Sequence, residues 1–437
     1  MDILLFFQQL NALLALPSTC LFFGVSLFLT LYLSFPQIRL FPRLIAMLRQ
    51  GFARKRQQDT AGHESTISAF HALLTAMGTA IGTGSIVAPS LAIIAGGPGA
   101  LFWLIIYLIL GASLRFVEVT LALATRQKLP DGRLVGGPMQ YLHLIHPFLS
   151  GWYGVLMLGL FFGWQTVQSN TLATIFAQEA VAPWIVGFCL AGIVSAILAG
   201  GAHRVGLVAS KLVPFMFFCY VSFSLFILYN NSALIKDALS LVLSSAFSSR
   251  ALAAGGVGVT LLSSMRAGIY RGIFISEAGL GTAGIPQAIA DTSKPSDQGT
   301  LALYSIIADI ILSLLSGLLV LVSGVWQYGN FRSTMIYEVF KQQVPGIGQW
   351  ILLASISLFV LTTVIGNSFN GLQLFTTFTK DRYRNCYIAS IAAIIFCGSL
   401  ISVPLAWEIM DTLLACAAIP HVIGLVLLTI MRKNLFF

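Results

Sequence analysis

About eleven times along this chain, roughly twenty residues pass with scarcely a charged side chain, and that repetition constrains the fold more than anything else in the sequence. The stretches lie near 17–35, 67–95, 100–125, 150–177, 181–200, 207–230, 255–290, 300–326, 349–378, 386–404 and 408–431. As helices, each is long enough to cross a hydrocarbon layer about 30 Å thick. Of the 437 residues, 57% are hydrophobic and 9% are Asp, Glu, Lys or Arg. A soluble domain carries about 25% charged residues. No soluble core hides so much apolar surface, so the sequence predicts an all-α polytopic membrane protein. Residues 3–16 follow Met1-Asp2, lack a basic stretch and are interrupted by Gln8, Gln9 and Asn11. They read as an interfacial segment leading into the first span rather than as a cleaved signal.

The net charge of +9 does not point to nucleic acid, because the basic residues sit in short loops between apolar runs. With the N-terminus outside, seventeen Lys and Arg residues fall on the cytoplasmic side, among them Arg39, Arg43, Lys55, Arg56, Arg126, Arg133, Lys294, Lys380 and Lys433. Four fall outside: Lys236, Arg250, Arg332 and Lys341. An odd span count with this asymmetry predicts a cytoplasmic C-terminus. Residues 35–50 interleave Leu, Ile and Phe with Arg, which suits a short amphipathic helix on the inner surface, and 51–66 read as a solvated loop. The expected organisation is an N-terminal span with its amphipathic segment (1–66), a first five-helix block (67–230), a connector (231–254), a second five-helix block (255–431) and a tail (432–437). Six cysteines at no metal-ligand spacing read as small buried hydrophobes.

Two apolar stretches are interrupted. In Thr75–Pro89, Gly78, Gly82 and Gly84 alternate with Thr79, Thr83 and Ser85 before Pro89. In Arg271–Pro286, small residues and hydroxyls again precede a proline. Glycine frees the backbone and proline removes a donor, so both stretches are expected to unwind. Unwound backbone survives in a membrane only where protein or a cavity satisfies it. Its carbonyls can ligate a cation and its N–H groups a carboxylate. Small-residue helix packing accounts for either stretch alone. An interruption opening each of two successive blocks favours an inverted-repeat transporter.

Three acids lie within apolar runs. Glu118 stands three residues after Arg115 and is expected to pair with it. Glu277 is expected to bind free N–H groups of the second break. Asp309 is open between a gate, a proton site and a buried hydrogen-bond acceptor. Gln168 and Asn170 form a polar face in Gly163–Asn170, readable as interhelical glue, and Thr362 and Thr363 are readable as bonding back to their own helix.

At these residues the chain resembles the alanine/glycine:cation symporter family. GGPGALFW (96–103), RFVEVTLA (115–122), GGPMQYL (136–142), VQSN (167–170), KLVPFM (211–216), RGIFISEAGLG (271–281) and LTTVIG (361–366) carry the resemblance, in the family's order and spacing. It implies a leucine-transporter-type fold, a 5+5 inverted repeat preceded by one extra N-terminal helix. It also implies uptake of alanine or glycine coupled to Na+, or to H+ in some members. By that resemblance, sodium would meet the carbonyls of Gly78, Ile81 and Phe359 and the hydroxyls of Thr362 and Thr363. The substrate carboxylate would meet N–H groups at Gly82 and Gly84, Gln168 would orient the substrate, and backbone around Gly272 and Phe274 would close the pocket. Three departures stand out: the family's GTGN ends in Ser85, its SNEAG reads Ile275-Ser276-Glu-Ala-Gly, and its TTxxGW ends in Asn367. The tryptophan is expected to wall the pocket, so Asn367 implies a larger or differently shaped one.

The expected partners are therefore a small neutral amino acid and the lipid bilayer of the cell (inner) membrane, without nucleic acid and with a monomer compatible with the sequence. An intramembrane enzyme has little support: there is no HExxH, and the histidines lie mostly at span ends. A channel filter is commonly built by oligomeric symmetry, whereas these two breaks differ within one chain. A proton-coupled permease, a permease for larger neutral amino acids and a non-transporting sensor on the same fold are the alternatives.

Overall fold

In hydrocarbon every backbone polar group needs an internal partner, so apolar stretches become helices. The computed structural model describes residues 3–54, 67–129, 132, 134–247, 251–252, 258–259, 261–292, 294–328, 334–379, 382–401 and 404–436. Of the expected loop at 51–66, residues 51–54 are helix, because the amphipathic segment before them continues without a break; 55–66, with Lys55 and Arg56, and the topology residues Arg133, Arg250, Arg332 and Lys380 lie outside the described residues.

The first helix, α1 (Ile3–Tyr32), is continuous. Residues 3–16 run as one helix with the first span, because Gln8, Gln9 and Asn11 do not break helical hydrogen bonding. Asn11 donates to the Glu408 side chain at 2.7 Å, which ties this stretch to the last helix. A turn, α2 (Pro36–Arg39), leads into the amphipathic α3 (Phe41–Arg54), which buries Leu44 and Leu48 while Arg43 pairs with Asp297.

The first interrupted stretch is α4 (Ala69–Ala80) and α5 (Thr83–Gly96), followed by α6 (Ala100–Ala124) and the short α7 (Pro138–His143). Next come α8 (Pro147–Ala177), α9 (Pro183–Ala199) and α10 (Gly201–Asn230). The expected connector begins with a further helix, α11 (Ser232–Ala246). The second interrupted stretch is α12 (Leu261–Ser276) and α13 (Gly284–Gln287). The chain closes with α14 (Pro295–Ser323), α15 (Met335–Gln343), α16 (Gly348–Thr379), α17 (Arg384–Leu400) and α18 (Pro404–Met431).

Among the described residues, eight segments are long and apolar enough to cross a membrane: α1, α4–α5, α6, α8, α10, α14, α16 and α18. The apolar α9 and α17 are shorter, and α12 ends at the second break. Large apolar side chains such as Phe188, Phe218 and Leu243 are exposed, as lipid-facing residues are. All six cysteines are free and none is buried, so they belong to that outer surface rather than to the core.

Two groups of helices surround the breaks. In one, α5, α6, α12 and α14 pack on one another; in the other, α8, α9, α16 and α17 do. The half-helix α4 spans the division, packing on α10 and α16 while α5 continues into the first group. A two-residue parallel bridge, Ile67 with Ala290 and Ser68 with Asp291, joins the start of the first interrupted stretch to the end of the second.

Candidate functional site

The first break is two residues wide. Ile81 and Gly82 leave the helical region, at φ −78°, ψ 89° and φ −133°, ψ −152°. The last carbonyls of α4, from Gly78 to Ile81, therefore have no helical N–H above them. On the other side, the first N–H groups of α5 lack an intrahelical acceptor, and no side chain caps them. A helix C-terminus carries partial negative charge and an N-terminus partial positive charge. The break thus sets a cation-attracting end beside an anion-attracting end, inside a segment buried along nearly its whole length.

Side chains of the second group meet it there. The Thr363 hydroxyl donates to the Ile81 carbonyl at 3.2 Å. Gly78 packs on Thr362, and any Cβ at Gly82 would run into the Thr363 side chain. The Thr362 hydroxyl bonds back to its own helix, to the Leu358 and Phe359 carbonyls at 3.0 Å each. The two threonines thus divide: Thr362 stays local, as isolated threonines do, and Thr363 reaches across. Gly78 and Ile81 thus meet Thr362 and Thr363 of α16, and the Phe359 carbonyl is joined to them through the Thr362 hydroxyl.

The remaining expected residues are spread around the break. Thr83 donates to Gln168 Oε1 at 2.7 Å, which brings α8 to the start of α5. Gly84 faces the Phe274 ring, and that ring lies 5.4 Å from Trp407. The Ser85 hydroxyl turns from the break and donates to Asp309 Oδ1 at 3.2 Å, making Asp309 a buried acceptor. Gly272 is regular helix, and a side chain there would meet Tyr107 rather than the first break. Asn367 is buried on α16, one turn beyond Thr363. Asn170 acts as glue, donating to the Ile401 carbonyl at 2.7 Å.

The second break is filled by protein. Glu277, Gly279 and Gly281 take positive φ (52°, 95° and 79°). Glu118 Oε1 accepts from the N–H groups of Gly279 at 2.7 Å and Gly281 at 2.8 Å. The expected assignment is thereby corrected: Glu118 holds the free N–H groups, while Glu277 accepts from the Thr282 hydroxyl. Arg115 lies 3.9 Å from Glu118 and donates to the Ser276 carbonyl. Tyr107 donates to Ala278, Tyr153 to Leu280 and Asn370 to Thr282, each to the carbonyl, and His421 pairs with the Gly279 carbonyl at 2.7 Å. Sequence reasoning passed over His421 and the two tyrosines. Nothing local marks them, because their partners lie more than 125 residues away. The two breaks therefore differ in kind: the second is closed by side chains, whereas the first keeps uncapped backbone.

Many multi-pass transporters build their sites from interrupted helices of this kind. The chain belongs to the Sodium:alanine symporter family, whose family model matches residues 3–436. It is 32% identical to the sodium/alanine symporter AgcS of Methanococcus maripaludis, over 94% of this chain and 91% of that one. It is 29% identical to a protein of Bacillus subtilis described as a "probable sodium/glutamine symporter", GlnT, over 93% of this chain and 84% of the other. The crystal structure of MhsT in complex with L-phenylalanine has the same fold, with a TM-score of 0.60 at 13% identity, covering 85% of this chain and 91% of that chain. The family is one of transporters, not enzymes.

Proposed function

We propose that this protein couples the entry of sodium to uptake of a small neutral amino acid, alanine or glycine in the first place, by alternating access. The observation that carries the reading is the polarity of the first break, with Thr363 bonded to Ile81 at its cation-attracting end. Sodium is a substrate here. The carbonyls of Gly78, Ile81 and Phe359 and the hydroxyls of Thr362 and Thr363 are hard, uncharged ligands that suit a monovalent ion. The amino-acid carboxylate is drawn to the N–H groups at Gly82 and Gly84. Gln168 orients it, and Phe274 and Asn367 shape the rest of the pocket.

This arrangement supplies a coupling device. An ion held by α4 and α16 bridges the two helix groups, so its binding favours the closed arrangement of one against the other. One charge crossing 100 mV supplies about 2.3 kcal/mol before any concentration term. We take the fold as eleven spans, a leucine-transporter-type 5+5 inverted repeat after one extra helix. In this reading the N-terminus is outside and the C-terminus cytoplasmic, in a cell (inner) membrane. Protons are the alternative coupling ion. A second substrate reading, a larger neutral amino acid, is favoured by Asn367, which leaves more room than the tryptophan of the resembled pattern.

Linkage gives the test. Binding of L-alanine to purified protein in detergent is measured by calorimetry in sodium and in potassium buffer. Affinity that rises at least about fivefold in sodium is the expected result, and sodium affinity must rise equally with alanine present. Equal affinity in both buffers contradicts sodium coupling.

A further inference from the structure

Between the two breaks, facing stretches of α8 and α16 carry buried polar groups of which the symport reading uses only Asn367. Gly371 of α16 packs on Phe161 of α8, with 3.3 Å from an added Cβ to the ring. At the first break, Gln168 meets Thr83 and Thr363 meets Gly82. The residue numbers thus rise along α8 as they fall along α16, and Gln165 comes level with Asn367 and Ser368. On α16 itself, Thr363, Asn367 and Asn370 share one face. Thr363 bonds the Ile81 carbonyl of the first break and Asn370 the Thr282 carbonyl of the second, at 3.2 Å and 3.3 Å, so Asn367 stands between them.

Gln165, Asn367 and Ser368 are all at least 98% buried. Yet both amide atoms of Gln165, Oδ1 of Asn367 and the Ser368 hydroxyl have no hydrogen-bond partner in the protein. Buried polar atoms are normally paired, and an unpaired one is costly. Four such atoms, on stretches of α8 and α16 that the flanking contacts bring level, are ones that a polar occupant would satisfy.

Resting on the symport reading above, we infer that Gln165, Asn367 and Ser368 form the subsite for the substrate's side chain, and that among substrates larger than alanine those with an uncharged hydrogen-bonding group, a hydroxyl or a carboxamide, are preferred. Gln165 presents a donor and an acceptor side by side, the pattern a carboxamide complements. The Ser368 hydroxyl can give or take a proton bond, and Asn367 Oδ1 accepts one. The cluster carries no charge, so it offers nothing to neutralise an acidic or basic side chain. An aliphatic side chain would leave all four atoms unpaired, and a site built to hydrogen-bond its ligand rejects an analogue lacking that group far better than an apolar site rejects an added hydroxyl. The tryptophan of the resembled pattern would offer one N–H and fill the space; Asn367 opens it.

The test uses the full chain in proteoliposomes under an inward sodium gradient. Initial uptake is compared within two pairs of similar size: L-serine against L-2-aminobutyrate, and L-asparagine against L-leucine. Expected is a kcat/KM ratio of about tenfold or more for the polar member of at least one pair, collapsing toward one in Gln165→Leu. Ratios near or below one in the wild-type protein overturn the inference without recourse to any variant. A transporting Gln165→Leu protein that keeps the wild-type ratio also overturns it. Sodium-driven uptake of alanine without polar preference sinks the subsite alone; absence of sodium-driven uptake for every amino acid sinks the symport reading, and the subsite with it.

Discussion

Thr363 donates its hydroxyl proton to the carbonyl of Ile81 at 3.2 Å, across 282 residues of sequence. The bond joins the middle of α16 to the last turn of α4, where the first interrupted helix has run out of N–H donors. The neighbouring Thr362 hydroxyl is held by its own helix, so Thr363 is the threonine that ties the two helix groups together.

Thr363→Ala removes that hydroxyl and leaves the backbone carbonyls in place. Membrane insertion is expected to persist, while the sodium concentration for half-maximal uptake rises about tenfold, the equivalent of one lost ligand worth about 1.4 kcal/mol. Sodium activation of uptake in vesicles, measured against the wild type, checks this. An unchanged activation curve would remove Thr363 from the ion site.

Gly82→Ala tests the same place from the other helix. A Cβ there would sit 3.0 Å from Thr363 Cβ and 3.1 Å from its Cγ2, and closer still to the hydroxyl. Thr363 must then swing off Ile81 or α16 must shift. Uptake should fall at least about tenfold, since overpacking a tight contact typically costs about 1–3 kcal/mol. Retained activity would show that the break is roomier than this contact implies.

Glu118→Ala addresses the second break. It strands the N–H groups of Gly279 and Gly281 and leaves Arg115 without its carboxylate. Removing one partner of a buried ion pair costs about 3–5 kcal/mol. The expected readout is a marked fall in melting temperature in detergent and in yield from membranes. Wild-type thermal stability in the purified variant would mean that the second break does not depend on this carboxylate.

Asn367→Trp restores the residue of the resembled pattern. The pocket should narrow toward glycine and alanine, with competition by serine, asparagine and glutamine reduced relative to alanine. A competition profile identical to that of the wild type would show that residue 367 does not line the pocket.

Among the described residues, eight of the expected spans and both breaks were legible because membranes impose simple rules. Lipid demands uncharged helical runs, and glycine with a following proline marks where a run opens. Helices α11 and α15 were not legible, because they are too short to show as spans and carry ordinary polar composition. The acids show the limit most clearly. Glu118 was paired from sequence with Arg115, three residues away, but its principal partners, Gly279 and Gly281, lie 161 and 163 residues on. Glu277 sits beside the free N–H groups in sequence, yet its left-handed backbone turns its carboxylate to Thr282. Gln165 could have been found: it stands three residues before Gln168 on an otherwise apolar helix, the spacing of one face. Its lack of a partner became visible only when the opposing face of α16 was in place.

The most direct measurement is accumulation of radiolabelled L-alanine in proteoliposomes, with and without an inward sodium gradient. Concentrative uptake that requires the gradient, and collapses when it is dissipated, is the expected result. Binding of amino acid without accumulation under either a sodium or a proton gradient, in correctly oriented protein, would contradict it and mark the chain as a sensor built on a transporter fold.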